Sequence, residues 1–124
     1  MNITKKLLDK LKNQTGIGNI VLNVNQTKYK KNCLISYIKE PFERKPSDYH
    51  QNETQVIAIA RLIGEFGYNV DVIDYRAEHV IFNKKYDALF EICIKNLPVY
   101  RKVLKKQAIR IVYLTGNESK FANE

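Results

Sequence analysis

Residues 33–38 read Cys-Leu-Ile-Ser-Tyr-Ile, an apolar run that ends before the segment 39–49. A short apolar run bounded by turn residues is typical of a strand buried on both faces of a parallel sheet. The segment 39–49 contains Pro41 and Pro46, which predict a loop. Beyond it, the apolar residues of 56–66 follow helical spacing, and Gly67 stands where a helix commonly ends. This part of the chain therefore predicts a strand, a loop and a helix.

The rest of the chain repeats this alternation. Three further strands and a second helix are predicted, over residues 69–74, 87–94, 109–114 and 97–107. Alternating strands and helices at these spacings predict a parallel sheet with right-handed crossovers. Residues 19–24 predict one more short strand, and residues 78–85 leave an extra strand and an irregular segment both open. We expect an α/β fold with an open parallel sheet of the Rossmann-like type.

Charge divides the chain into two regions. The net charge is +8, and residues 1–31 hold seven lysines against one aspartate, which gives 7 − 1 = +6. Residues 32–124 hold fourteen basic and twelve acidic residues, so their net charge is only +2. We therefore predict a basic leader over 1–31 and a Rossmann-like α/β domain over 32–124. A nucleic-acid-binding domain would carry its positive charge on the fold itself, so no nucleic-acid partner is predicted.

The leader contains an amphipathic helix over residues 3–13, with apolar residues at spacings of three to five and lysines mostly between them. Such a helix can lie on an anionic membrane through residues 1–13. Packing on its own domain or on a partner protein remains the alternative. Residues 1–13 lack the apolar core of a signal peptide, which predicts a cytoplasmic protein, with attachment to the inner face of the membrane as one variant.

The sequence contains two cysteines, Cys33 and Cys93, and both lie in apolar strand segments. This placement favours buried free thiols over a disulfide or a metal site, since a zinc site usually needs about four ligands. The first strand-to-helix loop contains no glycine, and no Walker motif is present, so the common phosphate-binding loops are excluded. A phosphorylated receiver domain is excluded too, because it needs clustered acids at strand ends and the first strand ends Ser36-Tyr37-Ile38 without an acidic pair. We expect neither a metal nor a cofactor in this chain.

The carboxyl ends of the strands are the expected binding edge, because open α/β sheets bind ligands there. The first and fourth strands, 33–38 and 109–114, are expected to present neighbouring tips to one crevice. His50 is the candidate catalytic residue, as a base or a hydroxyl-binding donor, and a capping or surface histidine is the equal alternative. The candidate substrate-binding residues are Ser36, Tyr37, His50, Asn52, Glu53, Thr115, Gly116 and Asn117.

Four segments carry a resemblance to a known family: residues 50–53 (His-Gln-Asn-Glu), 64–68 (Gly-Glu-Phe-Gly-Tyr), 69–75 (Asn-Val-Asp-Val-Ile-Asp-Tyr) and 113–117 (Tyr-Leu-Thr-Gly-Asn), with Phe121, Asn123 and Glu124 beyond them. In this order and spacing, residues 32–124 resemble the amino-terminal lobe of bacterial glycosyltransferases of the two-Rossmann-domain (GT-B) type. Where many relatives carry serine and histidine after the threonine-glycine pair, this sequence has Asn117 and Glu118.

The resemblance implies an acceptor-side lobe, with the nucleotide-sugar donor held by a carboxyl-terminal lobe after residue 124. It implies a sugar or glycan acceptor as the partner, and catalytic inactivity of this chain alone. Two other classes stay open: a non-catalytic binding or assembly module, and an accessory domain of another transferase such as a methyltransferase. An uncovered sheet edge can also pair with a second copy, which makes a homodimer an alternative to a monomer.

Overall fold

The computed structural model of the protein describes residues 3–15, 19–43, 51–93 and 96–113. Its helices and strands are α1 (Ile3–Thr15), β1 (Ile20–Val21), β2 (Lys31–Tyr37), α2 (Gln51–Glu65), β3 (Tyr68–Asp74), β4 (Tyr86–Glu91), α3 (Leu97–Tyr100) and β5 (Leu104–Val112). Short 3-10 turns cover Glu40–Phe42 and Arg101–Val103. The predicted α/β class is confirmed.

The five strands form one mixed sheet in the order β1-β3-β2-β4-β5. The central strand β2 pairs in parallel with both β3 and β4, and β5 pairs in parallel with β4. The two-residue strand β1 runs antiparallel to β3, so the sheet is not purely parallel. β4 also separates β2 from β5. The carboxyl ends of β2 and β5 therefore lie at the same edge of the sheet, as expected, but they are one strand apart and not adjacent.

One face of the sheet, the first face, is covered by α2. Val56 and Ala60 of this helix are fully buried against Cys33, Ile35, Val70 and Val72 of the two central strands. The helix ends as the sequence predicts, because Gly67 follows it with a φ of +91°, a conformation that strains any side chain. The strand-loop-helix unit predicted from the sequence therefore builds half of the core.

The opposite face, the second face, is covered by α3 and by the segment 75–85. Its buried cluster consists of Leu34, Ile73, Tyr86, Leu89 and Tyr100. Phe82 of the segment packs edge-on against Tyr86 and Tyr100, with ring centroids 6.2 Å and 6.4 Å apart. Residues 78–85 adopt neither helix nor strand, which decides between the two alternatives in favour of the irregular segment.

The helix predicted over residues 97–107 was wrong in its second half. α3 ends at Tyr100, and residues 104–107 begin β5. Leu104 pairs with Tyr86 across the sheet and packs on the second-face cluster, while Lys105 forms a 2.9 Å ion pair with Asp87. Pairing with β4 thus outweighs the helical spacing of this lysine-rich segment.

Part of the predicted leader packs on the sheet. β1 pairs with β3, the Val24 N–H donates to the Val70 carbonyl at 2.8 Å, and the Asn25 amide donates to the Ala60 carbonyl at 2.9 Å. The predicted amphipathic helix is present as α1. In the described ranges, no helix combines the length and the apolar character needed to cross a membrane.

Candidate functional site

The carboxyl ends of β2 and β4 meet at a division in the fold. Ser36 of β2 lies opposite Glu91 of β4 in the parallel register. The connection from β2 to β3 runs through α2 on the first face, whereas the connection from β4 to β5 runs through α3 on the second face. Crossovers that leave neighbouring strands on opposite faces open a crevice at their carboxyl ends, where α/β sheets bind ligands.

Ser36 takes part in a buried hydrogen-bond chain on the second face. Its hydroxyl oxygen lies 2.7 Å from the Tyr100 hydroxyl, and the Asn96 amide donates to the same Tyr100 oxygen at 3.4 Å. Burial raises the pKa of Tyr100 and the charge of Glu91 adds to this, although the bonds with Ser36 and Asn96 act in the opposite direction. Tyr100 is therefore a neutral phenol that holds α3 over the tip of β2.

Glu91 is the unusual residue of this edge. Its carboxylate is fully buried, and one oxygen, Oε1, accepts a hydrogen bond from Nε of Arg110 at 2.9 Å and forms an ion pair with Nη2 of the same side chain, also at 2.9 Å. The other oxygen, Oε2, is buried and has no hydrogen-bond partner within the described part of the chain. Burial raises the pKa of Glu91, and the Arg110 contact offsets only part of that effect. Buried polar atoms are nearly always paired, so this oxygen marks an unsatisfied position in the interior.

A cavity of about 520 Å³ opens beside this cluster on the second face. Its volume lies in the range of small-molecule sites in proteins. Asn96 and Tyr100 belong both to the cavity wall and to the hydrogen-bond chain of Ser36. The remaining wall consists of Tyr75, Arg76, Ala77, Glu78, Val80, Phe82 and Val99. The cavity thus combines aromatic rings with hydrogen-bonding groups of both charges.

Arg76 is fixed at this cavity by the end of β3. Its Nε and Nη2 donate to the two carboxylate oxygens of Asp74, both at 2.9 Å, and its guanidinium lies 5.4 Å from the Tyr75 ring centroid. Burial raises the pKa of Asp74, but the hydrogen bonds and charge of Arg76 outweigh it, so the net pKa lies below its ordinary value. The carboxylate therefore stays ionised and holds the planar cation in a defined position.

The structure separates Ser36 from Tyr37, which were predicted to serve one crevice. Consecutive residues of a strand point to opposite faces, so Ser36 faces α3 while Tyr37 faces α2. The Tyr37 hydroxyl donates to the Gln55 Oε1 at 3.2 Å, and Glu53 is buried near the start of the same helix. The predicted substrate-binding residues thus fall into two groups on two faces.

Several predicted residues cannot be assigned to either group. His50, Thr115, Gly116 and Asn117 lie outside the described residues. Asn52 lies in the first turn of α2, and its side chain is likewise outside the described part of the structure. Their proposed contacts with substrate remain predictions from the sequence.

Four residues near this edge were not predicted from the sequence as site residues: Glu91, Arg110, Tyr100 and Arg76. A usable signal existed for the first two, because each is a charged residue inside an otherwise apolar strand segment. Charged residues are almost never buried unless they are paired, so two such positions in neighbouring strands predict an ion pair. Tyr100 and Arg76 gave no such signal, because their roles depend on where α3 and the end of β3 meet.

A second buried carboxylate, Asp71 of β3, lies on the same face away from this edge. It accepts hydrogen bonds from the Tyr86 hydroxyl at 2.7 Å and from the Asn23 N–H at 2.8 Å, and Lys84 lies 3.1 Å away. Burial and then the bond to Asp71 raise the pKa of Tyr86 above its ordinary value. All these contacts are internal, so Asp71 ties β3, β4 and the segment after β1 together.

Neither the two cysteines nor the amino edge of the sheet forms a comparable site. Cys33 is buried and Cys93 partly buried, and neither forms a disulfide; burial, with the charge of Asp71, raises the pKa of Cys33 to about 12. Cys33 is therefore an unreactive thiol. Across the described ranges, no group of three or more histidine, cysteine or acidic residues could hold a metal ion. A cavity of about 400 Å³ at the amino edge is lined partly by Lys31, Lys105 and Lys106.

Comparison with known proteins gives no relative for this chain. No protein-family model matches the sequence, no curated protein matches it, and no solved structure matches the fold.

Proposed function

We propose that this chain is the acceptor-side lobe of a glycosyltransferase, and that the second-face cavity binds a sugar or glycan acceptor. In this proposal the domain is the Rossmann-like half of a two-lobe enzyme, and the other lobe holds the nucleotide-sugar donor. The observation that carries the proposal is the cavity of about 520 Å³ at the carboxyl edge of the sheet, with its mixed aromatic and polar wall.

The chemistry of the wall favours a hydroxyl-rich ligand. Aromatic rings such as Tyr75 and Tyr100 offer flat apolar faces to the C–H groups of a sugar ring, while Arg76, Glu78 and Asn96 offer donors and acceptors for its hydroxyl groups. A purely hydrophobic ligand would remove water from the charged groups of Arg76 and Glu78 without replacing it, which opposes its binding. The arrangement therefore favours a saccharide over a lipid.

The position of the cavity also supports the proposal. It adjoins the end of β2 through Tyr100 and Ser36, at the division where the two crossovers leave the sheet on opposite faces. A ligand bound there would face a second lobe placed over the carboxyl edge. His50 and residues 115–117 would supply the remaining acceptor contacts, as the sequence predicts.

Saturation-transfer NMR with oligosaccharides of bacterial surface glycans tests the cavity in the 124-residue chain. We expect weak binding, which Arg76→Ala and Tyr75→Ala each reduce by about tenfold, the equivalent of one lost charged hydrogen bond or ring contact. Tyr29→Ala is the matched control, because Tyr29 is an exposed tyrosine that does not line this cavity. Binding that is equal in all three variants would contradict the proposal.

An activity assay gives a second test. The chain alone should neither transfer sugar nor hydrolyse a nucleotide-sugar donor, because catalysis needs donor and acceptor held together. Measurable transfer or donor hydrolysis by the purified 124-residue chain would contradict the two-lobe proposal.

A specific observation also favours a second candidate, a binding or assembly module. Ile109 and Ile111 of β5 are 55% and 46% exposed on the first face, where α2 does not cover them. Tyr113 extends this apolar surface and contacts the Phe90 ring at 6.1 Å between centroids. Sedimentation equilibrium tests whether this face forms a dimer. If it does, Ile109→Lys should convert dimers to monomers. The control Leu62→Lys, on α2, should leave the dimer unchanged.

A further inference from the structure

We infer that α1 binds the surface of an anionic lipid bilayer, with its axis in the plane of the headgroups. Among the residues that the structure describes, none from α1 lines the second-face cavity, so this binding is independent of the proposed function. The apolar side of the helix is exposed. Ile3, Leu7 and Leu8 are 81%, 56% and 51% exposed, although residues of this type are commonly buried.

The spacing of these residues places their side chains on one side of α1. With 3.6 residues per turn, Ile3, Leu7 and Leu8 fall within one side of the helix, and Leu11 extends the same stripe by one turn. Lys5 borders the stripe on one side, and Lys6 and Lys10 border it on the other. All three lysine side chains are exposed.

Lysines at both borders of an apolar stripe fit an interfacial helix. The leucine side chains enter the boundary between headgroups and acyl chains, while the lysine stems extend outward so that their ammonium groups meet lipid phosphates. α1 holds four lysines and one aspartate, a net charge of +3, which complements a negatively charged surface. The exposed Lys28 and Lys30 add positive charge in the segment that follows β1.

A groove on a partner protein is the competing destination for the stripe. Such a groove would bury the apolar residues equally well, but it gives no reason for lysines along both borders. The bilayer explains both features with one orientation of the helix, so it is the occupant that the observations favour.

Co-sedimentation of the full chain with phosphatidylglycerol vesicles and with phosphatidylcholine vesicles tests the inference. We expect binding to the anionic vesicles, weaker binding to the neutral ones, and a loss of affinity as salt is added. Leu7→Ser with Leu8→Ser should reduce the partition coefficient by more than about tenfold, because shallow insertion depends on buried apolar area. Lys6→Glu with Lys10→Glu should reduce it by at least about 25-fold, from about fivefold for each lysine.

Matched controls separate this effect from a general change in hydrophobicity or charge. Leu62→Ser with Phe66→Ser removes two exposed apolar side chains elsewhere, and Lys85→Glu with Lys102→Glu makes the same change in net charge. Neither pair should alter vesicle binding by more than about twofold. Far-UV circular dichroism checks that every variant stays folded. Absence of binding to phosphatidylglycerol vesicles, or equal losses in the α1 variants and their controls, would overturn the inference and leave the protein groove as the destination.

Discussion

Two carboxylates are buried on the same face of the sheet, and their surroundings differ. Asp71, in β3, has two hydrogen-bond donors and an ammonium group around its two oxygens. Glu91, at the carboxyl end of β4, has one oxygen in two contacts with Arg110, and its other oxygen, the open oxygen, has no hydrogen-bond partner among the residues that the structure describes. Both side chains are almost inaccessible, so burial alone does not distinguish them.

The difference separates a carboxylate that stabilises the fold, Asp71, from one that could bind a ligand, Glu91. A buried carboxylate with all its partners inside the chain stabilises the structure that surrounds it. A buried carboxylate with an open oxygen opposes folding, because that oxygen has lost water without gaining a donor. The open oxygen belongs to the end of β4, next to the proposed acceptor site. A destabilising carboxylate at this position is consistent with a role in function.

The largest expected effect is at Asp71. Asp71→Ala leaves the Tyr86 hydroxyl and the Asn23 N–H without an acceptor and Lys84 without its counter-charge, so the free energy of unfolding should fall by about 3–5 kcal/mol. Urea denaturation measures this loss. Glu65→Ala, at an exposed position of α2, should change the same quantity by less than about 0.5 kcal/mol. A loss at Asp71 no larger than at Glu65 would remove the distinction between the two carboxylates.

Two buried tyrosines, Tyr86 beside Asp71 and Tyr100 beside Ser36, should give losses of stability of intermediate size. Tyr86→Phe removes a hydrogen bond to a charged oxygen of Asp71 and should lower the free energy of unfolding by about 2 kcal/mol. Tyr100→Phe removes a bond between two neutral hydroxyls and the longer 3.4 Å bond from the Asn96 amide, and should lower it by about 1 kcal/mol. Thermal and urea unfolding of the two variants in parallel measure the difference. The reverse order would show that the Ser36 side of the sheet, not the Asp71 side, is the more tightly held.

The smallest expected effect at neutral pH is at Glu91. Because burial raises its pKa in the folded state, ionisation of Glu91 opposes folding, and stability is lost as pH rises from the unfolded value of about 4.3 through the folded pKa. Glu91→Gln removes the cost of a buried charge, and the new amide oxygen can still accept the bond from Arg110, whose side chain is 35% exposed, so the free energy of unfolding should change by no more than about 1 kcal/mol at pH 7.

The pH dependence is the sharper readout for this variant. Relative to the unchanged chain, Glu91→Gln should gain stability as pH rises from about 4.3 to 7. Asp74, whose pKa is lowered, loses its stabilising contribution as pH falls through its folded value, but it does so in both proteins and cancels in the difference. A relative stability that declines with rising pH would show that the contact with Arg110 outweighs the burial of Glu91 and lowers its pKa.

The sequence by itself determined the unit β2–α2–β3 and the class of the fold. The apolar run at 33–38, the helical spacing across 56–66 and Gly67 each carry a local physical signal, and the helix ends where that glycine takes a positive φ. Hydrophobic period and backbone conformation act over a few residues, so they can be seen without knowing the fold. They also explain why both predicted core strands agree with the structure to within two residues at each end.

Only the tertiary structure decided which side chains meet. Residues 104–107 form strand instead of helix, with Leu104 paired to Tyr86 and Lys105 in an ion pair with Asp87 of β4. Ser36 and Tyr37 serve different clusters because the two faces of one strand meet different helices. The Glu91–Arg110 pair and its open oxygen depend on β4 lying between β2 and β5. Strand order depends on how all the strands and helices pack against one another. Those contacts join residues far apart in the sequence, so no short stretch of sequence predicts them.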